Sequence, residues 1–394
     1  MNALKLALGA VALLASSVSA QSFDTRATSA YVVDYTTGTV LLAKRADEPL
    51  PPASMSKLMT LYMAFEALEQ DQNGTFTMQT ELPVSAAAQS YTGSTMFLVE
   101  GERVSVEDLI RGIIVLSGND ASVVIGEALG GTDAAFAEKM TLRARQLGMT
   151  HSNFINSSGW PRPGHVMSMR DLGLLATILI RDYPQYYPMF AETEFLFDPK
   201  EPANRFNRNP LLGLGIGADG LKTGHTQEAG YGLVGSAVQG NRRIVFVISG
   251  LDTAEARARE SESITNWAFR QFAQTELGTE GMTVAQAEVS LGATDTVDMV
   301  LAEDLSVLLP VNPLTPLKME VVYEGPISAA NTDAPIRAGD QIGELVITPH
   351  GLPEKRVALL AGSDVAPHGF ADRLKSAALH LLARYTAPGD PDAS

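Results

Sequence analysis

The chain has 394 residues, enough for two or three domains, and 45% hydrophobic with 19% charged residues is ordinary globular composition. Its formal net charge of −16 repels phosphate backbones, which argues against a nucleic-acid partner. There is no cysteine, so thiol nucleophiles, thiolate metal sites and disulfides are excluded, and only a large core can hold the fold.

In chain order, Met1–Ala20 stands apart first. It has one early charge (Lys5), an apolar run from Leu6 to Ala15 and the small-residue ending Val18-Ser19-Ala20. That pattern reads as a secretory signal peptide cleaved before Gln21. A membrane-crossing helix needs about 20 apolar residues, more than this run supplies. Its removal takes Lys5 and no acid, leaving the rest one unit more negative. Ser29–Ala43 then alternates apolar and polar residues and breaks at Thr37-Gly38, which predicts a hairpin. Pro51-Pro52-Ala53 stops it and launches a helix from Ser54 to Glu69. Glu107–Leu129 reads as helix interrupted at Ser117-Gly118-Asn119, followed by helices over Thr132–Leu147 and Met169–Arg181, the last capped by Ser168. Asn153–Val166 is a Gly/Pro/Asn/Ser-rich loop, long enough to be functional. Strands are expected at Gly220–Thr223, Gly230–Gln239 and Arg243–Leu251, then a helix over Glu255–Thr275. From about residue 280 come short β-like runs, at Gln286–Leu291, Thr296–Leu301, Ser306–Pro310, Lys318–Tyr323 and Gly343–Ile347, that suggest a small all-β module. Gly369–Tyr385 returns to helix with one apolar stripe, flanked by Arg373, Lys375, His380 and Arg384. The expected division is therefore 1–20, 21–276, 280–365 and 369–385.

Three short peptides carry chemistry: Ser54-Met55-Ser56-Lys57, Ser117-Gly118-Asn119 and Lys222-Thr223-Gly224. Each alone is common by chance. In this order, with about 60 and then about 100 residues between them, they are not. The helix after Pro52 is apolar almost all round, so it is a buried helix. An ammonium there is costly unless partnered or deprotonated. Residues three apart share a helix face, which sets Lys57 beside the Ser54 hydroxyl as a nucleophile with its own base. Ser117 and Asn119 are able to point the same way from a break, a hydroxyl for proton relay and a carboxamide to grip an amide. Lys222 and Thr223 offer a cation and a hydroxyl to a carboxylate, and Gly224 lets a substrate backbone approach as an added strand. No Gly-x-Ser-x-Gly elbow, no His-Glu-x-x-His and no phosphate-cradling glycine loop competes, so neither metal nor cofactor is expected. His225, directly after the third peptide, is expected to shape the cleft.

The ordered trio is the signature of class A β-lactamases and penicillin-binding proteins. The chain resembles the low-molecular-mass penicillin-binding proteins that act as serine D-alanyl-D-alanine carboxypeptidases. Pro52–Thr60, Ser117–Ala121, Asp219–Thr226, Ala229-Gly230-Tyr231, Trp267-Ala268-Phe269-Arg270 and Asn207-Arg208-Asn209 all look like segments of that family. The resemblance implies an α+β fold: a β-lactamase/transpeptidase-like catalytic domain, with a helical cluster on a five-stranded antiparallel sheet. A small all-β domain and a C-terminal amphipathic helix would follow. It implies peptidoglycan stem peptides as substrate and β-lactams as covalent inhibitors. Ser54 would be the acyl-ester nucleophile, Lys57 the proton acceptor, Ser117 the proton relay and Asn119 the group that orients the peptide. Lys222, Thr223, Gly224, His225, Arg208 and Arg257 would line the substrate site, one of the arginines holding the terminal carboxylate. The terminal helix would bind the outer face of the cytoplasmic membrane, placing the protein in the periplasm. Three other readings compete. A β-lactamase lacks its Glu-x-x-Leu-Asn segment between residues 150 and 185. An inactive scaffold would not need the intact site residues, and an endopeptidase on cross-linked peptidoglycan stays open.

Overall fold

The computed structural model describes residues 23–313, 315–329 and 335–367. The expected signal segment and the C-terminal amphipathic segment lie outside the described residues. Strand β1 (Ser29–Asp34) is buried along its whole length. Because side chains alternate along a strand, Tyr31 and Val33 join one core while Ala30 and Val32 join the other. Such a strand must lie inside a sheet. It pairs with β2 (Val40–Lys44), completing the expected hairpin, and with β5 (Arg242–Leu251) on its other side. With β3 (Ala218–Thr226) and β4 (Gly230–Gln239) the order is β2-β1-β5-β4-β3, every neighbour antiparallel. β3 is thus an edge strand.

One face of this sheet carries the helical cluster: α1 (Lys57–Gln70), α2 (Val106–Arg111), α3 (Asn119–Gly130), α4 (Asp133–Gln146) and α5 (Met169–Asp182). In α1, Leu58, Met59, Leu61, Tyr62, Ala64 and Phe65 are all buried, as an all-round apolar helix requires. Thr132 and Ser168 cap α4 and α5, each accepting the backbone N–H three residues on. The other face is covered by α6 (Ala254–Arg270), which sets Ile264 and Ala268 against Leu233, Ile244, Phe246 and Ile248. The sequence pattern carried this helix to Thr275, but it stops at Arg270. The buried Arg242 guanidinium, paired with Asp34 at 2.8 Å, donates to the Ala268 and Phe272 carbonyls and satisfies the helix end.

Phe272–Gly278 is instead strand β6, paired with β9 (Leu305–Pro310). After β6 come β7 (Thr283–Ser290), β8 (Thr296–Leu301), β10 (Lys318–Val322), β11 (Ile327–Ser328), β12 (Gln341–Thr348) and β13 (Lys355–Ala361). They form a six-stranded sheet, β10-β12-β13-β8-β7-β11, around Ala287, Met299, Leu301, Ile347 and Leu359. β13 was not expected from the sequence. Its Leu-Ala-rich run has weak strand preference, and pairing with both β12 and β8 decides its state.

Candidate active site

Ala53–Ser56 is one 3-10 turn leading into α1. In such a turn residues three apart eclipse, so Ser54 and Lys57 align more closely than an α-helix would set them. Lys57 Nζ lies 3.0 Å from Ser54 Oγ. It also donates to Asn119 Oδ1 at 2.7 Å and to the Ser158 carbonyl. The last two partners are pure acceptors. A neutral amine has two hydrogens and one lone pair, so when these two acceptors hold the hydrogens the lone pair faces the Ser54 hydroxyl. Lys57 is fully buried, and burial, helped by the Arg208 charge and opposed by Asp120, brings its pKa down to about 7. It therefore exchanges a proton near neutrality.

The Ser158 carbonyl arrives from the loop that the sequence singled out. Asn156 Oδ1 accepts the N–H groups of Ser158, Gly159 and Trp160, an Asx-type turn that orients the Ser158 carbonyl. Gly159 is required there: its φ is +76°, and a Cβ would come within 2.0 Å of the Ala53 carbonyl oxygen. Sequence reasoning missed Asn156 and Ser158 as parts of the site. Their signal was the Asn-Ser-Ser-Gly run inside that long loop.

The second peptide sits where the helix breaks. Gly112–Leu116 widens into a π turn, and Ser117 follows in the left-handed region (φ 62°, ψ 33°) before α3 begins at Asn119. Strained backbone of this kind survives only where its surroundings hold it. Here the Asp120 carboxylate accepts the Met96 and Leu98 N–H groups, while Asn119 Nδ2 donates to the Thr92 carbonyl. Ser117 Oγ accepts from Lys222 Nζ at 2.9 Å, joining second peptide to third. Lys222 is 2% exposed, and burial together with the charges of Lys57, Arg208 and Arg257 drives its pKa well below the usual lysine range. β3 runs close to the serine turn. A Cβ at Gly224 would lie 2.9 Å from Met55 Cγ and 3.0 Å from the Pro52 carbonyl.

Arg208 donates to Ser94 Oγ and to the Leu116 carbonyl, and Arg257 Nη2 to the Arg208 carbonyl at 3.3 Å. Burial lowers the pKa of both. Arg257 Nε is buried without a partner among the described residues. Lys57, Lys222, Arg208 and Arg257 form no ion pair with an acid among those residues. They thus make a local anion site in a chain of net negative charge. His225 stands apart from this network, exposed and stacked on Tyr231 with ring centroids 3.8 Å apart. The structure thus brings Ser54, Lys57 and Asn119 into one hydrogen-bonded group and Ser117 with Lys222 into another, with the arginines beside them and His225 at the rim.

Comparison with known proteins gives the same picture. A family described as D-alanyl-D-alanine carboxypeptidase matches residues 15–253, and one described as Penicillin-binding protein 5, C-terminal domain, matches residues 272–367. The D-alanyl-D-alanine carboxypeptidase DacC of Escherichia coli is 34% identical over 362 residues, 91% of this chain and 88% of that protein. The crystal structure of penicillin binding protein 5 from Haemophilus influenzae is 31% identical, with a TM-score of 0.73 over 87% of this chain and 98% of the other. Penicillin-Binding Protein D2 from Listeria monocytogenes in its ampicillin-bound form is 31% identical, with a TM-score of 0.55 over 63% of this chain and 99% of the other.

Proposed function

The chain belongs to the D-alanyl-D-alanine carboxypeptidase family and is a serine-type hydrolase of that class; from that premise we propose how its own residues perform the reaction. The Ser54 hydroxyl attacks the carbonyl of the penultimate D-alanine while its proton passes to Lys57 Nζ. The oxyanion that forms is held by the backbone N–H groups of Ser54 and of a residue on β3 after Lys222. The C–N bond then breaks. Ser117, supplied through Lys222, protonates the departing amine, and D-alanine leaves. Water attacks the Ser54 ester and frees the enzyme. Lys222, the Thr223 hydroxyl and Arg208 or Arg257 hold the terminal carboxylate, Asn119 and Gly224 align the peptide, and His225 borders the cleft. A β-lactam would acylate Ser54 by the same first step, in line with the ampicillin-bound relative.

The observation that carries this reading is the placement of Lys57 Nζ between Ser54 Oγ, Asn119 Oδ1 and the Ser158 carbonyl, with no carboxylate bonded to it among the described residues. Two substrates test it: a stem pentapeptide ending in D-Ala-D-Ala and a cross-linked dimer. Wild-type protein should release D-alanine from the first and leave the second intact. A Ser54→Ala protein should release no D-alanine and take up no labelled penicillin; retained activity there sinks the assignment.

We also place the enzyme in the periplasm, on the outer face of the cytoplasmic membrane. Met1–Ala20 would export it, and the apolar stripe of Gly369–Tyr385 would give a modest, reversible anchor. Deleting 369–394 should move the protein from the membrane fraction to the soluble one. An unchanged distribution removes the anchor from the proposal.

A further inference from the structure

Asp133 takes no part in the reaction just described, yet both of its carboxylate oxygens are held by loops of the active site. It is the first residue of α4 and is half-buried. Oδ1 accepts the Ser157 N–H at 3.0 Å, and Oδ2 accepts the Tyr91 hydroxyl at 3.2 Å. Each partner stands one residue before a group that aims Lys57. Ser158, after Ser157, presents the carbonyl that accepts from Lys57 Nζ. Thr92, after Tyr91, presents the carbonyl that accepts from Asn119 Nδ2 at 2.8 Å. That bond decides which way the Asn119 amide faces, nitrogen to Thr92 and oxygen to Lys57 Nζ at 2.7 Å. Both acceptors of the Lys57 hydrogens are thus tied by short routes to a single carboxylate.

Other contacts close the junction. The Thr60 hydroxyl donates to the Ser157 carbonyl at 2.6 Å, so the Ser157 backbone is gripped on both sides. The Tyr91 ring meets Trp160 edge-on, centroids 6.3 Å apart, and the Trp160 N–H shares Asn156 Oδ1 with that of Ser158. Where Asp133 meets Ser157, α3 carries a glycine. A Cβ at Gly126 would lie 3.3 Å from Asp133 Oδ1 and 3.4 Å from Ser157 Cβ, crowding that contact. Burial and the Asp133 carboxylate push the Tyr91 pKa up to about 12, so its hydroxyl stays a donor at working pH.

Resting on the carboxypeptidase reading, we propose that Asp133 is a positioning residue for Lys57. It ties the Tyr91 and Ser157 loops together, which aims Asn119 Oδ1 and the Ser158 carbonyl at the two amine hydrogens and turns the lone pair toward Ser54. Asp133 touches neither substrate nor the reacting atoms. Cutting the tie leaves Lys57 in place but free to turn, which slows proton transfer without weakening the hold on substrate. An acid in the first turn of a helix also complements the helix dipole. The two roles separate chemically, because the dipole needs the charge and the tie needs only the acceptor.

The test follows acylation of the full chain by labelled penicillin, well below the melting temperature of each variant. In Asp133→Ala the maximal acylation rate should fall by about tenfold, with the half-saturating concentration held within about twofold. Asp133→Asn loses the charge but keeps an oxygen for the Ser157 N–H and gains an NH2 for the Tyr91 hydroxyl. It should restore the rate to within about threefold of wild type, even where the helix itself is less stable. Tyr91→Phe keeps the ring and should cost about threefold alone, but nothing further when added to Asp133→Ala, where that arm is already cut. A wild-type rate in Asp133→Ala overturns the proposal, as does weaker binding at an unchanged maximal rate, or a loss that Asp133→Asn does not restore. Should Asp133→Ala fail to fold, a wild-type rate in Tyr91→Phe overturns it equally. All of these outcomes leave the carboxypeptidase reading standing so long as wild type releases D-alanine from the pentapeptide. A wild type that neither acylates nor releases D-alanine overturns both.

Discussion

The helical cluster around Lys57 and the β module after Arg270 belong to one chain but bury different things. Buried polar or charged side chains occur from Thr25 to Thr265, among them Lys57, Ser117, Asn119, Asp120, Ser158, His165 and Lys222. Past that point the described residues bury only apolar side chains, such as Ala287, Met299, Leu301, Ile347 and Leu359. A buried ammonium is costly unless it is partnered or neutral, so a fold carries two of them side by side only where they are used. The β module shows the default, a core built of apolar side chains. In this protein the density of buried polar groups marks the working region more sharply than any cavity does.

That contrast is breakable, and the largest effect should come from Lys57. Lys57→Met removes the base and replaces a buried charge by an apolar chain of similar length. Penicillin acylation and D-alanine release should fall by about 10³-fold or more, while the melting temperature stays level or rises. Acylation within about tenfold of wild type would mean that Lys57 is not the proton acceptor.

Next is pH. Because Lys57 loses its proton near pH 7, acylation should rise by about tenfold per unit below that value and level off above it. Stability should move as well. The folded chain gives up this proton near pH 7, whereas the unfolded chain keeps it to about 10.5. Between those values the unfolded state binds more protons, so Lys57 makes stability increase with pH there; below pH 7 both states are protonated and the penalty is constant. The melting-temperature gap between Lys57→Met and wild type should narrow from pH 7 to 10. A constant gap contradicts the lowered pKa.

Gly159→Ala tests the loop that aims the Ser158 carbonyl. With φ at +76° and Ala53 O in the way, the loop must shift. About 1–3 kcal/mol of stability should be lost, with acylation slowed by about tenfold. Normal acylation kinetics in a destabilised protein would show that the Ser158 carbonyl is dispensable. The smallest effect on chemistry belongs to the β module. Leu359→Ala, in its core, should cost about 2–5 kcal/mol in unfolding of that part. Its kcat/KM, measured well below the transition, should match wild type; a large drop would mean the module supports the cleft.

Much of this was legible in the chain. Alternation in Ser29–Asp34, the all-round apolar run after Lys57 and the caps at Thr132 and Ser168 are local signals, and they produced the expected elements. Ser54 and Lys57 are three apart, so their contact is also local. The partners that complete the site were harder to read. Ser158 acts through its backbone carbonyl, which any residue possesses, so side-chain type could not single it out. The Asn156 side chain bonds only groups of its own loop. The end of α6 was misplaced because Arg242, far back in the chain, supplies its hydrogen bonds.

Residue order by itself determined the periodicities, the breaks between elements and which three peptides carry the chemistry, because helix, strand and turn preferences act over a few neighbours. Only the tertiary structure decided that Lys222 Nζ meets Ser117 Oγ across 105 residues and that the Ser158 carbonyl reaches Lys57 across 101. It also decided that Lys57 is dry enough to titrate near pH 7. Desolvation is the summed effect of every side chain packed around a group, and no short stretch of sequence contains that sum.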